Sequence, residues 1–365
     1  MSLLKVNLGR RSYDIQIEPG CITDLPEAVR KIHKGNDIAV ISDKTVTGYY
    51  GQKVLDLLGS AGFHVTMHTV SDGEDSKSFS ILQQLWGELL EINLKRDGMV
   101  IALGGGVIGD LAGFVASTFL RGIPFVQVPT TLLAQVDSSV GGKVGINHPL
   151  GKNLIGNFYQ PRFVCIDPEV LTTLDNRDMW AGMAEVVKYG LIWDESFYKF
   201  LEKNLENLIE LKDWNDVSRM LSVCCKIKAE VVQQDEREGG LRRILNFGHT
   251  IGHAIEAVTG YKVYHHGEAV VYGMSFACWV SMKEGFITKS TFERIQQLFK
   301  RFIVPPLSEK VQLTDLLDKI KIDKKQSHSG LHVILLESIG KTKDQTVQDL
   351  SEWTKGWLDY ARASQ

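Results

Sequence analysis

The chain of 365 residues contains no C-x-x-C pair and only five cysteines, two of them adjacent at Cys224 and Cys225. An odd number of scattered thiols is not a disulfide framework; it suits reduced, mostly buried cysteines in a cytoplasmic protein. No run of about 18 apolar residues exists to span a bilayer. The stretch from Met1 to Leu8 is too short, and turns polar too soon, to be expected as a signal peptide. Neither sign of charge is in excess, with 41 Lys and Arg against 44 Asp and Glu. That balance gives no reason to expect a nucleic-acid or membrane partner, and it confines any cationic surface to a local pocket for an anionic small molecule. Internal repeats and low-complexity tracts are also missing.

What remains is ample apolar material, 44% of residues, on a chain long enough for two domains. The first half alternates short apolar runs with helical patterns. Asp37 to Ile41, Met99 to Leu103, Phe125 to Val128 and Phe163 to Ile166 read as buried strands. Ile81 to Leu94 sets Leu82, Leu85, Trp86, Leu89 and Leu90 on one helical face. This pattern predicts an α/β layer with a parallel sheet. From about Arg177 the period becomes 3.6, and Met179–Trp193, Phe197–Leu211, Val217–Val232, His249–Val258 and Ala269–Glu284 read as helices. The expected organisation is an α/β nucleotide-binding domain over residues 1–175 and an all-α domain over residues 176–365.

Gly104, Gly106 and Gly109 fit G-x-G-x-x-G between a strand and a helix, the context in which glycines admit a pyrophosphate to helix N-terminal amides. The acidic residue usual about 20 positions on is missing, and Asp43 at the end of an earlier strand is the alternative ribose partner. A tight structural turn remains the competing reading. Thr130 and Thr131 follow Pro129 at a strand end, where open α/β sheets bind ligands. Asp72, Glu74 and Lys77 form a polar loop that equally suits a solvated turn.

Four of the ten histidines fall between Asn246 and Glu268, which turns a common core residue into a metal candidate. His249 and His253 are spaced i, i+4 on one helical face; His265 and His266 follow. A catalytic zinc needs three protein ligands. Glu185, a lone carboxylate among apolar residues, is a candidate for one of them, against an exposed Glu185 paired with Lys188. Arg121, Lys143, Lys152, Lys188, Lys228 and Arg242 sit beside glycines or apolar residues and together suit a substrate carrying phosphate and carboxylate.

Six segments are similar to the 3-dehydroquinate synthase family of sugar-phosphate cyclases: Gly104–Asp110 (GGGVIGD), Pro129–Lys143 (PTTLLAQVDSSVGGK), Gly182–Gly190 (GMAEVVKYG), Asp235–Arg242 (DEREGGLR), Leu245–Glu256 (LNFGHTIGHAIE) and His266–Val270 (HGEAV). The likeness runs in register from about Asp43 to Lys325. It departs in a Val-Gln-Gln run before Asp235 and within the Asp72–Lys77 loop. It implies a cytoplasmic homodimer that uses NAD and Zn2+ or Co2+. It implies metal ligands Glu185, His249 and His266, which replaces the simple pairing of His249 with His253. His253, Glu238, Lys188 and Asn246 become catalytic groups. NAD contacts fall on Asp43, Asp72, Glu74, Lys77, Gly105, Gly106, Val107, Asp110, Thr130, Thr131, Lys143, Lys152 and Thr173. Substrate contacts fall on Asp137, Lys143, Asn153, Lys188, Lys228, Arg242, Asn246 and Lys324, with Arg121 reaching the neighbouring subunit's site. The implied reaction converts 3-deoxy-arabino-heptulosonate 7-phosphate to 3-dehydroquinate and phosphate, with NAD recycled. A cyclase making an inosose or a valiolone and a metal-dependent polyol dehydrogenase are the alternatives. Lys228, Arg242 and Asn246 favour a substrate with a carboxylate, which the other cyclases' substrates lack.

Overall fold

A computed structural model describes residues 2–324 and 331–363. The chain forms two compact units, one made of residues Met1–Asp175 and Leu211–Arg237, the other of Asn176–Glu210 and Glu238–Gln365. The chain thus passes between the units after Asp175, Glu210 and Arg237. The helix Trp214–Gln234, expected with the second domain, instead belongs to the first unit, where it packs on the first two strands and on the turn Ala134–Ser138. A helical period shows that this segment has an apolar face without showing what covers it.

The first unit is built on strands β1 (Ser2–Val6), β2 (Tyr13–Ile17), β3 (Asp37–Asp43), β4 (His64–Val70), β5 (Met99–Gly104) and β6 (Phe125–Pro129), with β7 (Lys143–His148), β8 (Gly151–Phe158) and β9 (Phe163–Ile166) following. Its main sheet has the order β1-β2-β9-β6-β5-β3-β4. Only β1 runs antiparallel to its neighbour; the other pairs are parallel. Successive side chains of a strand face opposite sides, and both sides are apolar here. Ile38, Val40, Met99, Ile101 and Leu103 enter one core, while Ala39, Ile41, Val100 and Ala102 enter the other. This is why β3 and β5 read as unbroken apolar runs rather than alternating ones. From β3 the chain steps outward to β4 and then returns to the opposite side of β3 for β5. That reversal opens a crevice at the carboxyl ends of β3 and β5, where such sheets bind ligands. Asp43 and Gly104 are the last residues of those two strands. The hairpin β7–β8 is a separate two-stranded sheet.

The second unit is mainly helical, with helices Asn176–Ile192, Glu195–Ile209, His249–Val258, His266–Lys283, Lys289–Phe299, Leu313–Lys324 and Ser351–Ala363. It also carries a hairpin the sequence pattern did not show, β10 (Leu331–Ser338) with β11 (Lys341–Val347). This hairpin packs on His266–Lys283 and buries Val333, Ile334, Leu335 and Leu336. Two glycines set how closely the site-bearing helices approach. A Cβ at Gly273 would lie 1.8 Å from the carbonyl oxygen of Gly248, and one at Gly267 would lie 1.8 Å from that of Ala181. Helix His266–Lys283 thus meets its neighbours backbone to backbone. Among the described residues no helix is long and apolar enough to cross a membrane.

Candidate active site: a histidine–carboxylate centre and a dinucleotide cradle

In the second unit these close contacts bring Glu185, His249, His253 and His266 together from three helices. The imidazoles of His249, His253 and His266 offer ligand atoms within 4.8 Å of one another. Nε2 of His249 lies 3.6 Å from Oε1 of Glu185, and Nε2 of His266 lies 3.7 Å from the same oxygen. The opposite ring nitrogens are occupied. Nδ1 of His249 is 3.2 Å from the carbonyl oxygen of Phe247, and Nδ1 of His266 is 3.0 Å from Oε2 of Glu256. With Nδ1–H donating to these acceptors, both Nε2 lone pairs face Glu185, the usual outer-shell arrangement of metal-binding histidines.

Glu185 is 1% exposed, with no neutral hydrogen-bond donor satisfying its carboxylate. Its ion-pair neighbour is Lys188, one turn on and equally buried. The carboxylate therefore did not take the exposed position that was the alternative at the sequence level, although its pairing with Lys188 is present. Two imidazole nitrogens and a buried carboxylate oxygen with 3.6–3.7 Å between them are a donor set that fits a divalent cation, because ligand atoms about 2 Å from a metal lie over 3 Å apart. Burial, then the charge of Lys188 and the other two histidines, lowers the His249 pKa well below its usual range, keeping it in the neutral form a ligand requires. For His266 burial opposes protonation, but the hydrogen bond and charge of Glu256 together with the charge of Glu185 outweigh it and raise the pKa. His253 is exposed, and its ring centroid is 5.1 Å from that of His249.

Around this centre the same unit places Glu238, held at φ +62°, where it accepts a 2.7 Å hydrogen bond from Nδ2 of Asn246. Arg242 is 2% exposed on the 3-10 turn Leu241–Asn246. Lys324 ends its helix, and its side chain lies outside the described residues.

In the first unit the glycine loop enters helix Gly106–Thr118 with Gly105 as a cap that has no side chain to fill it. The helix's leading amides are therefore open to an anion, with Val107 in its first turn. Cβ atoms at Gly105 and Gly106 would come within 2.9 Å of Thr131 and 3.1 Å of Ser138, and one at Gly109 within 2.7 Å of Gln127. The loop is thus a backbone-lined cradle, and Gly109 is the close helix-to-strand contact.

Asp43 accepts from the Val46 amide at 2.8 Å, and Asp72 accepts from the Thr45 amide at 2.9 Å. Lys77 is 3% exposed and donates to Asp110 at 2.6 Å and to Asn153. The Thr130 hydroxyl is buried without a partner, and the Thr173 hydroxyl meets the Tyr50 hydroxyl at 2.7 Å. Lys143 opens β7 and Lys152 lies in β8. Lys228 donates to Oδ1 of Asp137 at 2.7 Å, so two expected substrate residues already pair.

Comparison with known proteins now decides the family. A family model described as 3-dehydroquinate synthase N-terminal matches residues 67–181, and one described as 3-dehydroquinate synthase C-terminal matches residues 182–326. The 3-dehydroquinate synthase of Thermoanaerobacter pseudethanolicus is 44% identical over 349 residues, 96% of this chain and 98% of that protein. The chain belongs to the 3-dehydroquinate synthase family. Among solved structures, a 2-deoxy-scyllo-inosose synthase in complex with carbaglucose-6-phosphate, NAD+ and Co2+ is 26% identical, with a TM-score of 0.88 and coverage of 98% of this chain and 99% of that one. The 2-epi-5-epi-valiolone synthase of Streptomyces hygroscopicus subsp. jinggangensis, with NAD+ and Zn2+ bound, shares the fold at a TM-score of 0.90 and 23% identity, covering 100% and 99%. Within this synthase family scaffold, Glu256 and Tyr50 lie near the sites and escaped the sequence reading. Glu256 carries the same signal as Glu185, a lone carboxylate in an apolar helical stretch. Tyr50 carries none.

Proposed function

We propose that this chain converts 3-deoxy-arabino-heptulosonate 7-phosphate to 3-dehydroquinate and phosphate. The observation that carries the proposal is the buried Glu185 carboxylate, 3.6 Å and 3.7 Å from two histidine Nε2 atoms whose other nitrogens are occupied, inside the segment matched by the synthase family model. Glu185, His249 and His266 would hold the metal. Asp43, Asp72, Glu74, Lys77, Gly105, Gly106, Val107, Asp110, Thr130, Thr131, Lys143, Lys152 and Thr173 would hold the dinucleotide. When bound, NAD supplies a hydride acceptor that later returns the hydride, and Zn2+ or Co2+ supplies a Lewis acid at the C5 hydroxyl.

The chain's own groups bind, orient and move protons. Asp110 pairs with Lys77 at 2.6 Å. His253, exposed beside the His249 ring, takes the C5 hydroxyl proton at an imidazole nitrogen. Glu238, oriented by Asn246, serves the second proton transfer. Oxidation at C5 acidifies C6, so phosphate leaves by β-elimination. Re-reduction, ring opening and aldol closure then complete the product. Lys143, Asn153, Lys228 and Arg242 supply the charge and hydrogen bonds that a phosphate and a carboxylate need, with Asp137 fixing Lys228 and Lys188 lying against Glu185. Lys324 joins them in this reading.

We extend the proposal to a cytoplasmic homodimer in which Arg121 serves the neighbouring subunit's site. Arg121 is exposed and sits at φ +71°, between Leu120 at φ +48° and Gly122 at φ +113°. Two successive non-glycine residues in this region are strained, and such strain clusters at functional sites. Incubating the protein with NAD, Zn2+ and the heptulosonate phosphate tests the activity. Phosphate and 3-dehydroquinate should appear in equal amounts.

A further inference from the structure

Asn147 stands near the end of β7 and has no role in anything argued so far. Three hydrogen bonds converge on it. Its backbone amide donates to the Lys77 carbonyl at 2.8 Å. Its side-chain Nδ2 donates to Oε1 of Glu74 at 2.7 Å, and its Oδ1 accepts from the Asn153 amide at 2.9 Å. A carboxylate only accepts and an amide N–H only donates, so one orientation of the Asn147 side chain satisfies both partners. Aspartate, the isosteric alternative, would set a carboxylate against Glu74.

The partners of Asn147 are the residues read above as cofactor and substrate contacts. Glu74 and Lys77 lie on the loop before helix Phe79–Glu91, and Asn153 lies in β8 at φ +56°. An asparagine side chain in this left-handed region is aimed by its backbone, and the amide that fixes that backbone is the one bonded to Asn147. The heads of the two segments also meet, because Nζ of Lys77 donates to Oδ1 of Asn153 as well as to Asp110. The loop and the hairpin thus form one hydrogen-bonded body with Asn147 at its joint.

We propose that Asn147 is a positioning residue that holds the Glu74–Lys77 loop and Asn153 in one arrangement, so that cofactor binding and substrate binding are coupled through its side chain. The proposal rests on the reading of Glu74 and Lys77 as dinucleotide contacts and of Asn153 as a substrate contact. Asn147→Ala removes both side-chain bonds. Asn147→Asp keeps the acceptor for Asn153 and repels Glu74, so the two variants separate the two arms.

NAD affinity is measured by calorimetry on the metal-loaded full chain, and steady-state constants for the heptulosonate phosphate are measured alongside. Asn147→Ala should raise the NAD Kd and the substrate KM about tenfold each, the loss expected for a hydrogen bond to a charged partner and for a mis-set contact, while kcat changes much less. Asn147→Asp should raise the NAD Kd to a similar degree and leave KM near the wild-type value. Variants that melt at lower temperature yet bind NAD and substrate within twofold of wild type would show a merely structural side chain and overturn the proposal. Equal damage to KM in both variants would also overturn it, because the Asn153 arm would then carry nothing. Lys77→Ala is the control on the underlying reading. If it binds NAD as wild type does, the cofactor assignment fails whatever Asn147 does.

Discussion

Glu256 governs how one imidazole of the metal centre faces its neighbours. It is 3% exposed and accepts from Nδ1 of His266 at 3.0 Å, which leaves Nε2 to face Glu185. Removing such an outer partner costs about 10–100-fold in metal affinity. Glu256→Ala should therefore weaken Zn2+ binding by that factor in a competition against a chromogenic chelator; an unchanged affinity would contradict the role. Asp43, proposed above as a dinucleotide contact, presents the opposite case, a group that burdens the fold. Burial, with Asp72 alongside, raises its pKa. Its ionised form is thus costlier in the folded chain than in the unfolded one. That cost is absent at low pH, where the group is protonated in both states, and complete above its raised folded value. Asp43→Asn should raise the melting temperature of NAD-free protein at pH 7 but not near pH 3, while lowering NAD affinity. A lower melting temperature at pH 7 would contradict this. The sequence exposed Glu185 because a carboxylate among apolar residues is costly to bury unpartnered. Asn147 lies at the polar end of β7, where such conflict gives no signal.

Helix-scale geometry depends on glycines that admit no side chain. A Cβ at Gly273 would lie 1.8 Å from the Gly248 carbonyl, which is fixed backbone immediately before His249. Gly273→Ala should separate helices His249–Val258 and His266–Lys283, cost about 1–3 kcal/mol, and reduce bound Zn2+. Thermal melting with metal analysis reads both effects; a wild-type melting point and zinc content would contradict the contact. Four helices of the second unit were legible within three residues at either end, because their apolar period repeats over several turns, whereas Lys289–Phe299, Leu313–Lys324 and Ser351–Ala363 were not read. His249–Val258 matches its expected bounds. Strands β1, β2 and β4, the hairpin β7–β8 and the hairpin β10–β11 were not legible. β8 is largely exposed and β11 alternates partly buried with exposed residues, so neither presents an apolar run. The partner of helix Trp214–Gln234 was equally hidden, since its period specifies a buried face and not its cover.

At the scale of the whole molecule, the proposed dimer makes Arg121 a test of assembly. An Arg121→Ala chain mixed with a His249→Ala chain produces hybrids in which one site carries both lesions and the other neither. If Arg121 serves the neighbouring subunit, activity should reappear on subunit exchange, up to about half of the hybrid's sites. Demonstrated exchange with no recovery would place its role within its own chain. The same account joins a dinucleotide cradle and a metal centre in one reaction that returns its hydride, and this separates a cyclase from a polyol dehydrogenase on a related scaffold. The most direct measurement follows phosphate release and nicotinamide absorbance together during turnover of the heptulosonate phosphate with NAD and Zn2+. The account predicts many phosphates released per NAD present with no net rise in NADH. NADH accumulating in step with substrate consumed, or phosphate release that needs no NAD, would contradict it.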